Sequence, residues 1–399
     1  MARRVRAWWL ACAVLPALVF QVSSCSDDPT AVNDAADASP DTLQRPAPKP
    51  PEEDSDASDG AVKKPPPVLP GCIGTSVALV PSGERGYVAV DMSPDGGKAN
   101  GDFLLDFGAN GSTIDFAAFD AGAAPVASSC LGDASAPGAL CSFDHFDFFG
   151  PWGTVNLVTA DYSFLFNSVR QAGIIGTDFL SVYPFTLDYA HDKVWRSASA
   201  SFCTDAQLLG AGFVPVPAGG FYTNKFASLR PLSDVIQNPD AAATSGYTVP
   251  NVPTVPITVA GASALAQLDT GYDDRIIRHS ININKALFDL LNAQMPLKIT
   301  RQQSRDLYLT TCVPGLSQLG EAYQLSAGTE VNFVGEGGVI ARHDTGTVLF
   351  VKERLAAAER CGGIETWTVP AAQMGASFLV DAQEVVFDPI SSRVWLPKD

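Results

Sequence analysis

The chain has 399 residues, 46% of them apolar, enough to build more than one core. Its formal charge is -17, and a chain this acidic is repelled by phosphate backbones, which argues against nucleic acid as a partner. Many Gly, Pro, Thr, Val and Phe residues and few long helical periods point to an all-β fold.

Residues 1–24 read as an export signal. Arg3, Arg4 and Arg6 form a basic start, and Ala7 to Phe20 form an apolar stretch interrupted by Pro16. That stretch is too short and too broken for a comfortable transmembrane helix. The leader holds no acid, so its loss takes the charge from -17 by three, to -20. Val22-Ser23-Ser24-Cys25 is similar to a bacterial lipobox, which implies that Cys25 is lipidated and becomes the mature N-terminus. The alternative is ordinary cleavage that leaves Cys25 a thiol. Either way the expectation is an exported protein, lipid-anchored at the cell envelope or otherwise secreted, and touching the membrane through its anchor only.

Residues 25–70 are rich in Asp, Ala, Ser, Pro and Lys and poor in aromatic and β-branched residues. They cannot bury enough apolar area to offset chain entropy, which predicts a disordered tether with a reach of about 40 Å. Six cysteines lie beyond Cys12 and Cys25, an even number suited to an oxidising compartment. Six allow fifteen pairings. Local pairing would give Cys130–Cys141 and Cys312–Cys361, with Cys72–Cys203 bracketing the first half.

The folded part is expected as a first lobe over 71–205 and a second over 206–399. Tyr87 to Met92 alternates as a strand, and Phe103-Leu104-Leu105 is a buried strand that delivers Asp106 into the turn Phe107-Gly108. Phe143 to Tyr162 reads as a hairpin with Phe149-Gly150-Pro151-Trp152-Gly153 at its tip. Ile174-Ile175-Gly176, Thr186-Leu187-Asp188 and Lys193-Val194-Trp195 follow. The second half repeats this order. Ala264 to Leu268 leads into Asp269-Thr270-Gly271, Lys285 to Leu291 suits a short helix, and Gly375 to Leu379 matches Gly176 to Leu180. Val386-Phe387-Asp388 and Arg393-Val394-Trp395 close it, with Trp seven residues after Asp in both halves. A long-period duplication of this kind argues for two lobes of one architecture.

These two Asp-containing Gly turns and the two Gly176 and Gly375 segments make residues 74–397 resemble the pepsin-like, bilobed aspartic peptidases. The Asp106 motif, with Ala109 and Ser112-Thr113, is also similar to the single-lobed retropepsin pattern. The resemblance implies an all-β bilobal fold with a cleft between pseudo-symmetric lobes, Asp106 and Asp269 as catalytic carboxylates, and Gly108 and Gly271 beside the substrate. Trp152 stands in, on position alone, for the Tyr that the family carries near the tip of its flap. The activity implied is peptide-bond hydrolysis by a monomer that uses no cofactor and no metal. Two carboxylates so close cannot both ionise, so they share a proton, and one serves as base while the other serves as acid.

Three features depart from the family pattern. Phe107 lacks the hydroxyl that the family uses between its loops, Tyr272 takes the place of a small residue, and Gln373 is polar in an otherwise apolar segment. A second reading is therefore a catalytically inactive relative that binds peptide or a protein partner in the cleft. Asp344-Thr345-Gly346 competes with Asp269, but its approach through Arg342 and His343 is polar, so it reads as a surface turn. Asp106-Phe107-Gly108 spells a kinase triplet without the accompanying Gly-rich loop, and no Gly-x-Ser-x-Gly or His-Glu-x-x-His is present. His145, His191, His279 and His343 are dispersed and read as structural or solvated.

Overall fold

The computed structural model describes residues 65–398 apart from 95–98, 121–122, 164–167, 221, 224–227, 230–251, 273–276, 311–315, 344–345 and 357–362. The leader, Cys25, most of the tether, Asp344, Cys312 and Cys361 therefore lie outside the described residues. What is described is mostly β, in several sheets with short helices between them.

The apolar segment before each aspartate is a strand laid parallel beside a second strand from the same half. Asn100–Leu105 pairs in parallel with Gln171–Ile175, and Ala262–Leu268 pairs in parallel with Ala371–Met374. Both partner strands are buried throughout, which is why these segments read as continuous runs and do not alternate. The first pair belongs to an eight-stranded sheet built from residues 80–175. The second belongs to a ten-stranded sheet built from residues 254–374. Each partner strand ends in Gly176 or Gly375 and runs into a short helix, Thr177–Leu180 or Ala376–Asp381. The expected helix near Lys285 is present as Lys285–Gln294, capped by the Asn284 side chain on the Leu287 N–H.

A six-stranded sheet takes strands from both halves. Phe185–Asp188 and Glu384–Asp388 are antiparallel neighbours at its centre, flanked by the two Trp-bearing strands. The repeated Asp and Trp seven residues apart has a physical reason here. In each hairpin the Asp carboxylate accepts the Trp indole N–H, Trp195 to Asp188 at 3.3 Å and Trp395 to Asp388 at 3.4 Å. The other oxygen of each accepts backbone N–H groups of the intervening turn. The carboxylate thus closes the turn and fixes the Trp in one step.

Among the described residues two disulfides are formed. Cys72–Cys203 closes a separation of 131 residues, and Cys130–Cys141 joins directly paired positions of two neighbouring strands. The hairpin around Trp152 pairs Leu140–Phe143 with Val155–Thr159. At its tip Phe149, Gly150 and Gly153 adopt positive φ. No helix among the described residues is long and apolar enough to cross a membrane.

Candidate active site

Asp106 is the first residue after its strand, and its N–H donates to the Ile175 carbonyl at 3.0 Å. Asp269 does the same in the second half, donating to Met374 at 3.0 Å. The two carboxylates, each 0% exposed, face one another. A Cβ placed on Gly108 would overlap the Asp269 carboxylate, and one placed on Gly271 would overlap that of Asp106. Both glycines have ordinary φ, so it is this close approach, not backbone conformation, that requires them.

The Asp106 and Asp269 carboxylates act directly on one another. Two carboxylates this close cannot both ionise readily. Burial pushes the Asp106 carboxyl above its usual range, partly offset by the Asp269 side chain, by the N–H groups of Gly108 and Ala109 and by the positive charge of Arg85.

The donors around the two carboxylates are unequal. Asp106 Oδ1 accepts the Gly108 N–H at 2.7 Å, and its Oδ2 has no donor among the described residues. Asp269 Oδ1 accepts the N–H groups of Gly271 and Tyr272, both at 2.9 Å. Its Oδ2 accepts Gln373 Nε2 at 2.6 Å. Gln373 is itself held by Asn282, whose Nδ2 donates to Gln373 Oε1 at 3.1 Å. The polar residue that departs from the apolar pattern is therefore the one that touches the dyad.

Thr270 ties the loops together. Its Oγ1 accepts the Phe107 N–H at 2.9 Å and donates to the Leu105 carbonyl at 2.7 Å. Phe107 has no hydroxyl to return the contact. Its ring instead stacks on Phe387, with centroids 3.6 Å apart and planes 10° from parallel. Arg85, buried at the start of its strand, crosses between the halves and donates from Nε to the Gly271 carbonyl at 2.8 Å. Tyr272, the other departure, is buried with its hydroxyl 2.7 Å from Ser280 Oγ, and its ring fills the space over Gly375.

Behind Asp106, Ser112 bridges to the Gly176 segment. Its hydroxyl donates to Asp178 at 2.6 Å and accepts the Gly176 N–H at 2.9 Å. Burial pushes the Asp178 carboxyl up to about 6 despite these bonds. Tyr162 and Thr113 share a hydroxyl contact of 2.6 Å. Burial first, and then the charge of Asp106, push the Tyr162 phenol up.

Of the site residues read from the sequence, Asp106, Asp269, Gly108 and Gly271 come together. Trp152 does not join them. Its ring packs on Phe179 and Tyr183 with centroids 4.8 Å and 5.7 Å away, and its indole donates to the Phe148 carbonyl. Sequence reasoning missed Arg85, Tyr162 and the role of Gln373; the only signal was the polarity of Gln373.

No protein-family model matches the chain, and no curated protein matches it. Among solved structures, it is similar to basic 7S globulin from soybean. That likeness has 12% identity and a TM-score of 0.37, and it covers 81% of this chain and 95% of that one.

Proposed function

We propose that the protein is an aspartic-type endopeptidase of pepsin-like, two-lobed design, with Asp106 and Asp269 as the catalytic pair. The observation that carries this reading is the pair of buried carboxylates meeting across two Gly turns, an arrangement in which two such groups share one proton. Three donors on Asp269 favour its ionised form, whereas Asp106 is left with a donor-free oxygen. Asp269 is therefore the general base and Asp106 the acid. Asp269 takes a proton from water as the water oxygen attacks the scissile carbonyl carbon, and Asp106 gives its proton to the carbonyl oxygen. Asp269 then gives its proton to the leaving nitrogen as the C–N bond breaks, and Asp106 takes a hydroxyl proton from the tetrahedral diol, which leaves an acid and an amine and restores the singly protonated pair. Such a pair works on the acidic side of neutrality.

The test is a peptide-library cleavage assay from pH 3 to 7, with Asp106→Asn and Asp269→Asn as controls. Hydrolysis by the native chain, lost in both variants with the fold intact, is expected. A correctly folded native protein silent across that range would transfer the reading to a peptide-binding relative, which the missing hydroxyl of Phe107 favours. The lipobox likeness supports a further proposal, an envelope protein anchored through lipid on Cys25. Cys25→Ser should then move the protein to the soluble fraction, and a variant still bound to membranes would refute it.

A further inference from the structure

The sheet that joins the two halves holds two carboxylates in opposed positions. Asp188 and Glu384 are direct cross-strand partners, and both are buried, at 2% and 0% exposure. Like charges set directly opposite each other destabilise a strand pair, and a buried carboxylate without a partner is costly. Asp188 has donors, namely the backbone N–H of His191 at 3.1 Å, His191 Nδ1 at 2.8 Å and the Trp195 indole. Glu384 has none among the described residues: neither of its oxygens finds a hydrogen-bond partner there. Lys193 is opposite Asp188 on the other neighbouring strand, but its ammonium lies over the Trp195 ring, 5.6 Å from the centroid. Two buried carboxyl groups thus converge with no side-chain cation against them among the described residues except a protonated His191.

Asp188, His191 and Glu384 each offer one ligand atom, and those atoms lie within 4.8 Å of one another. That spacing suits three ligands held about 2.0–2.2 Å from a single ion. The His191 side chain is 56% exposed, so the site opens to solvent on the imidazole side, where water can complete a coordination shell. A dication would neutralise both carboxylates and satisfy the bare Glu384. One imidazole with two carboxylates suits Zn²⁺ or Mn²⁺ better than Mg²⁺ or Ca²⁺, which take oxygen ligands. His279, His343 and Asp381 form a second cluster of similar spacing. There, however, Asp381 is already paired with the Arg278 guanidinium and His279 Nε2, both at 2.5 Å.

We propose that Asp188, His191 and Glu384 form a structural site for one divalent transition-metal ion of the Zn²⁺ type, pinning the strand pair where the two halves meet. The site is independent of any peptidase activity, and its test reads none.

The experiment is a calorimetric and thermal-shift titration of the chelator-stripped, untagged protein with ZnCl₂, alongside Glu384→Gln and His191→Ala. MgCl₂ and CaCl₂ serve as comparison arms. The native protein should bind Zn²⁺ and melt at higher temperature with it. Both variants should lose one binding event or bind at that site at least about tenfold more weakly, as expected when a metal site loses a partner. Mg²⁺ and Ca²⁺ should give no comparable shift. Glu384→Gln replaces a buried carboxyl that has no hydrogen-bond partner among the described residues with a neutral group of the same shape, so its metal-free form should melt no lower than the native protein. This separates lost binding from lost folding. Equal Zn²⁺ stoichiometry and affinity in the native protein and both variants would overturn the proposal. So would a native protein that binds Zn²⁺ no more tightly than Mg²⁺ or Ca²⁺.

Discussion

Gln373→Met tests the assignment of roles within the dyad. The substitution keeps the length and volume of the side chain but removes the N–H that Gln373 donates to Asp269 Oδ2 at 2.6 Å. A hydrogen bond to a charged group contributes about 1.5–3 kcal/mol. At about 1.36 kcal/mol per pKa unit, ionisation of Asp269 should become harder by about 1–2 units. The apparent values belong to the pair, so the readout is the pH profile of kcat/KM. The acid limb reports loss of the first proton, which comes from Asp269, and should move up by at least about one unit. The alkaline limb reports loss of the second proton, from Asp106 beside an already ionised Asp269, and should stay in place. Had the charge resided on Asp106, the same substitution would leave the acid limb and move the alkaline one. That outcome, or two unmoved limbs in a folded variant, would refute the assignment. The change also removes the Gln373 Oε1 that accepts from the buried Asn282 Nδ2. The rates are therefore to be measured well below a melting temperature that falls by the equivalent of about 1–3 kcal/mol.

Thr270→Val should destabilise the fold by about 2–5 kcal/mol in denaturant titration, because it orphans the buried Phe107 N–H and removes the donor to Leu105. Thr270→Ser should recover most of the loss. Gly271→Ala should abolish hydrolysis and lower stability, since the new methyl would overlap the Asp106 carboxylate; retention of native activity would count against the facing geometry. Loss of Cys72–Cys203, which closes a 131-residue separation, should cost about 5 kcal/mol, against about 3 for Cys130–Cys141 in a short loop. Unfolding of the two paired Cys→Ser variants compares them directly. Asp178 has a folded-state carboxyl raised to about 6 from an ordinary 3.8, so the folded state keeps a proton that the unfolded chain releases. Its contribution to stability should fall as pH rises from about 4 to 6, and Asp178→Asn should flatten that part of the stability–pH curve.

The duplication was legible because a buried parallel strand leaves a continuous apolar run, and a run ending in Asp and Gly is easy to find twice. It singled out Asp106 and Asp269, and these are the two aspartates that meet. The interval between Asp and Trp was visible as a repeat, but its cause was not, since the indole N–H reaches the carboxylate only once the hairpin has folded. Contacts between distant residues were beyond reach for the same reason. Arg85 meets Gly271 across 186 positions, and Gln373 meets Asp269 across 104. Neither pairing follows from local periodicity. Trp152 shows the limit of placement by position along a hairpin: the same tip that could carry an aromatic outward has turned it onto Phe179 and Tyr183.

The three departures from the family pattern are connected in space. Phe107 gives up a hydroxyl, and the loop it belongs to is held by the Thr270 hydroxyl and by stacking on Phe387, a residue of the shared central sheet. Tyr272 fills the volume over Gly375, and its N–H and hydroxyl go to Asp269 and Ser280. Gln373 lies one strand position before Met374, whose carbonyl fixes the Asp269 backbone, and supplies the donor to the outer oxygen of that aspartate. Each change that weakens symmetry between the loops places its replacement contact in the second half. The result is one aspartate held by three donors and one with an oxygen that no donor among the described residues reaches. On the proposed reading these donors divide the pair's proton before any substrate arrives, where equal carboxylates would divide it by chance of position.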